Sequence, residues 1–165
     1  MTPLIRLVVA VLALVGFAAA GLVCADVPAG AGFDPAEPKF AGVEDMHRAW
    51  QNWTLNCQGC HRADGTGSPG TAPSITGTVA RFLRAPGGRE YLGEVPGVAN
   101  SPLSSGDLAE VMNWMLWRFD REHVPAKFQP YTAEEIGRLR LTPLHMEANE
   151  LRRKLLAQAG RHPDK

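Results

Sequence analysis

The chain holds 165 residues, with 17 basic and 17 acidic side chains and no formal net charge. That length suits one compact domain, and the lack of a basic excess argues against a nucleic-acid binder. With 45% apolar residues, four Trp and six Phe it can bury a core and is not a disordered segment, while three Cys are too few for a disulfide scaffold.

Residues 1–25 read as a secretory signal peptide. Arg6 is the only charge among them, and the apolar run Leu7–Ala20 is short for a membrane span and is followed by small residues. Cleavage after Ala25 starts the exported chain at Asp26 and leaves Cys57 and Cys60 as its cysteines; cleavage after Ala20 is the second choice. An uncleaved anchor and a lipid on Cys24 are the alternatives, the latter opposed by bulky Val23 just before it. The expected location is the periplasm, without stable membrane insertion once the segment is removed.

Residues 26–42 are rich in Pro, Gly and Ala and read as an extended leader with no packed core of its own. A helix is expected from about Val43 to Asn56. Val43, Met46, Trp50 and either Trp53 or Thr54 recur at three- and four-residue spacing, with Glu44 and Asp45 in the first turn. Residues 57–106 contain 15 Gly or Pro among 50, too many for a long helix or regular sheet. Short helices are expected at about Thr78–Arg84 and Arg89–Gly93, separated by Pro86-Gly87-Gly88.

The clearest element is a helix over Gly106–Phe119. Ser105 and Asp107 offer caps, and Leu108, Val111, Met112, Met115, Leu116 and Phe119 form an unbroken apolar stripe flanked by Trp114 and Trp117. Thr132 and Glu135 form a capping box that opens a helix through about Arg140, with Ile136 and Leu139 inward. A last helix over about Met146–Ala159 carries Leu151, Leu155 and Leu156 and ends at Gly160. No segment alternates as a strand would. The fold class is all-α.

Cys57-Gln58-Gly59-Cys60-His61 is the C-x-x-C-H pattern of covalent c-type haem attachment. Two thiols three positions apart on one helical turn reach the two vinyl groups of one porphyrin. The adjacent imidazole is then held beneath the ring, where it can ligate the iron. Gly59 presents no side chain to obstruct the macrocycle. Other chemistries fit less well. Structural zinc wants four protein ligands, and no second Cys pair exists. A thioredoxin-like pair expects a βαβ context, and a disulfide across three residues closes too small a loop to stabilise much.

The chain resembles the class I c-type cytochromes beyond that motif. A helix runs into Cys57, Gly/Pro-rich loops follow, Ala63-Asp64-Gly65-Thr66-Gly67 forms a turn typical of the family, and Asn113-Trp114-Met115-Leu116 lies on an aromatic-bearing C-terminal helix. The resemblance covers residues 43–120 as a cytochrome c domain and leaves 121–165 as a helical C-terminal extension. It implies a cytochrome c-like fold around one covalently bound haem c, with Cys57 and Cys60 as attachment points and His61 as proximal ligand. In the family a Met just before the C-terminal helix usually supplies the second ligand. Here that loop, Val95–Ser105, has neither Met nor His, and Val98 falls near the ligand position.

Met112, Met115, His123, His145 and Met146 remain as candidates for that ligand, as does an open site. Met112 and Met115 fall on the apolar stripe, where core packing is the competing role. His123 lies in a polar connection and reads as a solvated surface residue, while His145 and Met146 would have to fold back over the haem. His47 is expected to be exposed, and His162 lies in a polar terminus. Arg62, Arg81, Arg84 and Arg89, with Asp64 and Glu90 among them, read as solvated surface rather than a rim that steers an acidic partner. Arg152-Arg153-Lys154 reads as a solvated face.

The functional expectation is an exported monohaem carrier of single electrons rather than an enzyme. A periplasmic dehydrogenase is expected as donor, and another cytochrome or an oxidase as acceptor. The rival is a haem with an open distal site that binds or activates O2, NO or peroxide.

Overall fold

The computed structural model describes residues 33–161. The expected signal peptide, Cys24, the first part of the leader and His162 lie outside them. In chain order come α1 (Met46–Asn56), α2 (Gln58–His61), a 3-10 turn at Ala80–Arg84, α3 (Gly88–Glu94) and α4 (Pro96–Ala99). After these follow α5 (Ser105–Asp120), a 3-10 turn at Arg121–His123, α6 (Ala133–Leu139) and α7 (Ala148–Ala159). Among the described residues the only β-type pairing is an isolated bridge between Ser68 and Ala72. The all-α expectation holds.

Helix α5 is the centre. Leu108, Val111, Met112, Trp114, Leu116 and Phe119 are buried, as the apolar stripe foretells, but so are Glu110, Asn113 and Asp120. Each of these polar side chains is satisfied by a different segment, as buried polar groups must be. Glu110 accepts from the Glu44 and Asp45 amides, both at 2.9 Å, and from the Arg48 guanidinium at 2.8 and 2.9 Å. Asn113 donates to the Gly42 and Tyr131 carbonyls and accepts from the Tyr131 amide. Asp120 accepts from the Ala80 amide at 2.7 Å and pairs with His123 Nδ1.

Helix α1 starts at Met46, later than expected. Asp45 is its N-cap, accepting from the Arg48 amide at 3.0 Å, so Asp45 and Glu44 precede the first turn rather than occupy it. The Glu110 carboxylate takes the amides just ahead of the helix, which fixes the start. Val43 is buried, yet outside the helix. Trp50, on the expected apolar face, is only half-buried; Trp53, at 1% exposure, is the anchor. The leader also ends differently from its expectation, because Phe40 is buried and stacks on Trp117 at 6.2 Å.

The remaining differences have local causes. Ser104 rather than Ser105 caps α5, accepting from the Asp107 amide. Residues 80–84 form a 3-10 turn, and Pro96 at a helix start opens the unexpected α4. The Thr132 box is half formed. Its hydroxyl accepts from the Glu135 amide, but the Glu135 carboxylate turns away to a two-bond pair with Arg89. Helix α7 begins at Ala148, two residues after Met146.

The chain after Asp120 packs back onto the rest. Ile136 and Leu155 are fully or almost fully buried, and Leu139 packs against the core. The Leu144 amide donates to Glu94 at 2.8 Å. Arg140, just past α6, donates to three carbonyls of the loop ahead of α5: Ala99 at 3.2 Å, Leu103 at 2.9 Å, and Ser101. Arg152 leaves the expected solvated face, donating to the Ser74 carbonyl and lying over Phe82, whereas exposed Lys154 pairs with Glu150 one turn away.

Replacing Trp53 by Ala should cost about 3–5 kcal/mol, because its ring is lost from a site that closes only partly. Trp50→Ala should cost distinctly less. Urea unfolding of the holoprotein checks both, and equal losses would contradict the packing.

Candidate haem attachment site

The end of α1 delivers the motif. The Cys57 amide donates to the Trp53 carbonyl at 2.9 Å, closing α1. The Cys57 carbonyl then accepts from Cys60 at 3.2 Å and His61 at 3.1 Å, winding the next four residues into α2. Cys57, Cys60 and His61 are thus gathered on a single turn. Arg62 follows with φ +62°, an unusual backbone for a residue with a side chain, and ends the turn.

The loop that follows is tied back to the motif. The Gly67 amide donates to the His61 carbonyl at 3.0 Å, and the Ile75 amide donates to Gly65 at 2.9 Å. Asp64 accepts from the Thr66 amide and hydroxyl, which closes the turn. Gly65 and Gly67 have φ of +72° and +77°. A Cβ on Gly65 would lie 2.7 Å from Thr76 Oγ1 and 2.8 Å from Phe119, and one on Gly67 would lie 2.4 Å from the Ala72 carbonyl. Only glycine meets both demands.

His61 is half-buried, 6.0 Å from the Trp53 ring. Trp53 in turn lies 4.7 Å from Phe119 and 6.0 Å from Trp114. Burial holds the His61 imidazole below its ordinary pKa, with the Pro73 carbonyl opposing part of that shift. A neutral ring is the form that ligates a metal. Burial, with a smaller push from Cys60, raises the Cys57 thiol to about 11.

The surroundings fit a haem. Both thiols are free, Cys60 is exposed, and the space where Gly59 would carry a Cβ is open. The indole N–H groups of Trp53 and Trp114 are buried without partners, donors that suit a bound group carrying acceptors such as propionates. Among the described residues no cluster of three or more His, Cys, Asp or Glu side chains is placed to hold a metal ion. A cleft of about 670 Å³ lies elsewhere, lined by Phe40, Arg48, Glu110 and Tyr131 among others, and includes none of the motif residues.

No family model matches the chain. It is, however, similar to a cytochrome c-552 of Thermus thermophilus, 35% identical over 108 residues that span 53% of this chain and 82% of the relative. A second cytochrome c-552, from a named strain of that species, is also 35% identical over 108 residues, covering 73% of its length. The chain belongs to the class I c-type cytochromes. The family implies haem c, and the helical fold accords with it.

In this c-type cytochrome the candidates for a second axial ligand are scattered. Met112 is 1% exposed in the core, and Met115 is half-buried on the same helix. His145 and Met146 are exposed, the latter at 94%. His123 is not the solvated residue expected, since the buried Asp120 carboxylate, one helical turn earlier, captures its ring. His47 is exposed as expected and stacks on Trp50 at 5.6 Å. Arg62 and Arg81 are exposed, but Arg89 is withdrawn into its pair with Glu135 and lies 4.0 Å over the Tyr131 ring. Sequence reasoning missed Arg140, Glu110 and Asp120: Arg140 and Glu110 find partners 37 to 66 residues away, and Asp120 takes the Ala80 amide 40 residues away as well as the nearby His123.

The two thiols should differ in reactivity before haem is attached. At pH 9 an ordinary thiol, with a pKa of about 8.5, is mostly ionised, whereas one with a pKa of about 11 is almost wholly protonated. In the haem-free polypeptide, iodoacetamide at that pH should therefore modify exposed Cys60 well before Cys57. The difference should shrink in urea. Peptide mapping after timed quenching checks it, and equal rates in native buffer would contradict the burial of Cys57.

Proposed function

We propose that this c-type cytochrome is an exported, monohaem carrier of single electrons. Cys57 and Cys60 hold the haem through two thioethers, and His61 is the proximal iron ligand. The observation that carries the reading is the single turn that gathers both thiols and a half-buried imidazole. When bound, haem supplies the one-electron ferric/ferrous couple.

The protein's own part is to hold and to shield. Cys57 sits inward and Cys60 outward, so the attached group reaches from the core to the surface. Trp53 backs His61 and limits its motion. Gly59 and Cys60 lie at the surface, where a docking partner can approach the haem edge. With 17 positive and 17 negative side chains, net charge gives little long-range steering. A periplasmic dehydrogenase as donor and another cytochrome or an oxidase as acceptor suit such a carrier. No helix of the described residues is long and apolar enough to cross a membrane, and the amino-terminal segment is read as a cleaved export signal.

Acid–acetone extraction should leave the haem on the polypeptide, because thioethers survive where axial ligation does not. Cys57→Ala or Cys60→Ala should leave one thioether and a much lower holoprotein yield. A redox titration should follow a one-electron Nernst curve, about 59 mV for each tenfold change in ratio. Transfer of all the haem to the organic phase would overturn the assignment.

A further inference from the structure

We propose that, among the described residues, no His or Met side chain other than His61 ligates the haem iron, and that a small neutral diatomic molecule, CO or NO, binds opposite His61. This rests on the haem attachment argued above and adds a ligand site to it. Imidazole and thioether are the strong axial donors open to a protein of this kind. Apart from His61, every His and Met among the described residues is placed where it cannot serve.

His47 and Met46 stand at the far end of α1, and the ten residues from His47 to Asn56 rise roughly 15 Å along the helix. His145 and Met146 are exposed ahead of α7. Met112 is sealed in the core at 1% exposure. The last two donors, Met115 and His123, belong to the end of α5 and the turn beyond it. That end lies on the side of His61: His61 meets Trp53, and Trp53 meets both Trp114 and Phe119. Met115 stands between those two residues in sequence, and His123 is tied to Asp120 immediately after them. A sixth ligand must come from the opposite face of the porphyrin.

The loop ahead of α5, where the family carries its ligand, offers none. Residues 95–105 are Val, Pro, Gly, Ala, Asn, Ser and Leu only, without a charge, Met or His. Nor is the loop free to bring in a donor from elsewhere, because Arg140 fixes its carbonyls at Ala99, Ser101 and Leu103. Val98 and Leu103 pack against the core. In the family this loop faces the distal side of the haem, and an uncharged, largely apolar loop there favours a neutral ligand over an anion, which selects diatomics that bind ferrous iron without bringing charge.

The test uses the full holoprotein, reduced with dithionite, after acid–acetone extraction of a sample has shown covalent haem. The expected ferrous spectrum is broad and five-coordinate, and CO should bind at a rate proportional to its concentration. An internal ligand bound 99% of the time would slow that rate about 100-fold. Sharp α and β bands before CO is added, with a binding rate that saturates, would overturn the proposal while leaving the haem reading intact. Loss of all haem on extraction would overturn both. Met115→Leu, which nearly conserves volume, and His123→Gln should leave the CO rate within about twofold. A rise of about tenfold or more in either variant would name that residue as the ligand and refute the proposal.

Discussion

The structure depends on the burial of α5 on nearly every side. A helix so enclosed can place polar side chains inward only if each finds partners, since a buried group left unpaired costs about 1–3 kcal/mol. Glu110, Asn113 and Asp120 meet that demand by reaching different parts of the chain. Glu110 gathers the start of α1, Asn113 holds the segments at Gly42 and Tyr131, and Asp120 takes the Ala80 amide and His123. Segments dense in Gly and Pro, which have little regular hydrogen bonding of their own, are thereby anchored to one rod.

The site inherits its position from that arrangement. Glu110 fixes where α1 begins, and its length then fixes where it ends. Trp53 consequently arrives against Trp114 and Phe119, and Cys57 closes the helix. The loop after His61 is held at both ends, by Gly67 on the His61 carbonyl and by Gly77 on the Phe119 carbonyl. His61 is set by backbone bonds on one side and by an aromatic stack on the other. The Pro73 carbonyl faces the His61 imidazole, and packing and backbone bonds supply the rest of its restraint.

What was legible in the sequence follows from what is local. The apolar stripe of α5, the turn of two cysteines and a histidine, and the chain breakers around it depend on spacing within a few residues, and they located both the fold class and the candidate site. The start of α1 was misplaced because Glu110, far along the chain, decides it. Trp50 and Trp53 could not be told apart by period alone, since both lie near one face and only contact with α5 buries the second. His123 looked solvated because its polar neighbours in sequence hide the carboxylate one turn back. The Thr132 box was right about its hydroxyl and wrong about Glu135, which a distant Arg89 takes.

The chain beyond Asp120 changes how the domain before it should be understood. Its contacts are charged groups holding backbone carbonyls and apolar groups completing a core, not a separate unit resting on a surface. Arg140 satisfies three carbonyls that an irregular loop would otherwise turn toward water or leave unpaired. A guanidinium suits that task, because its donors lie in one rigid plane and keep their charge at any ordinary pH. The loop ahead of α5 can therefore lack a metal-bound Met and still hold a defined shape. In a cytochrome whose loop is pinned by a metal ligand, losing that residue would loosen the loop; here Arg140 is the pin, so the shape of the loop does not depend on a ligand.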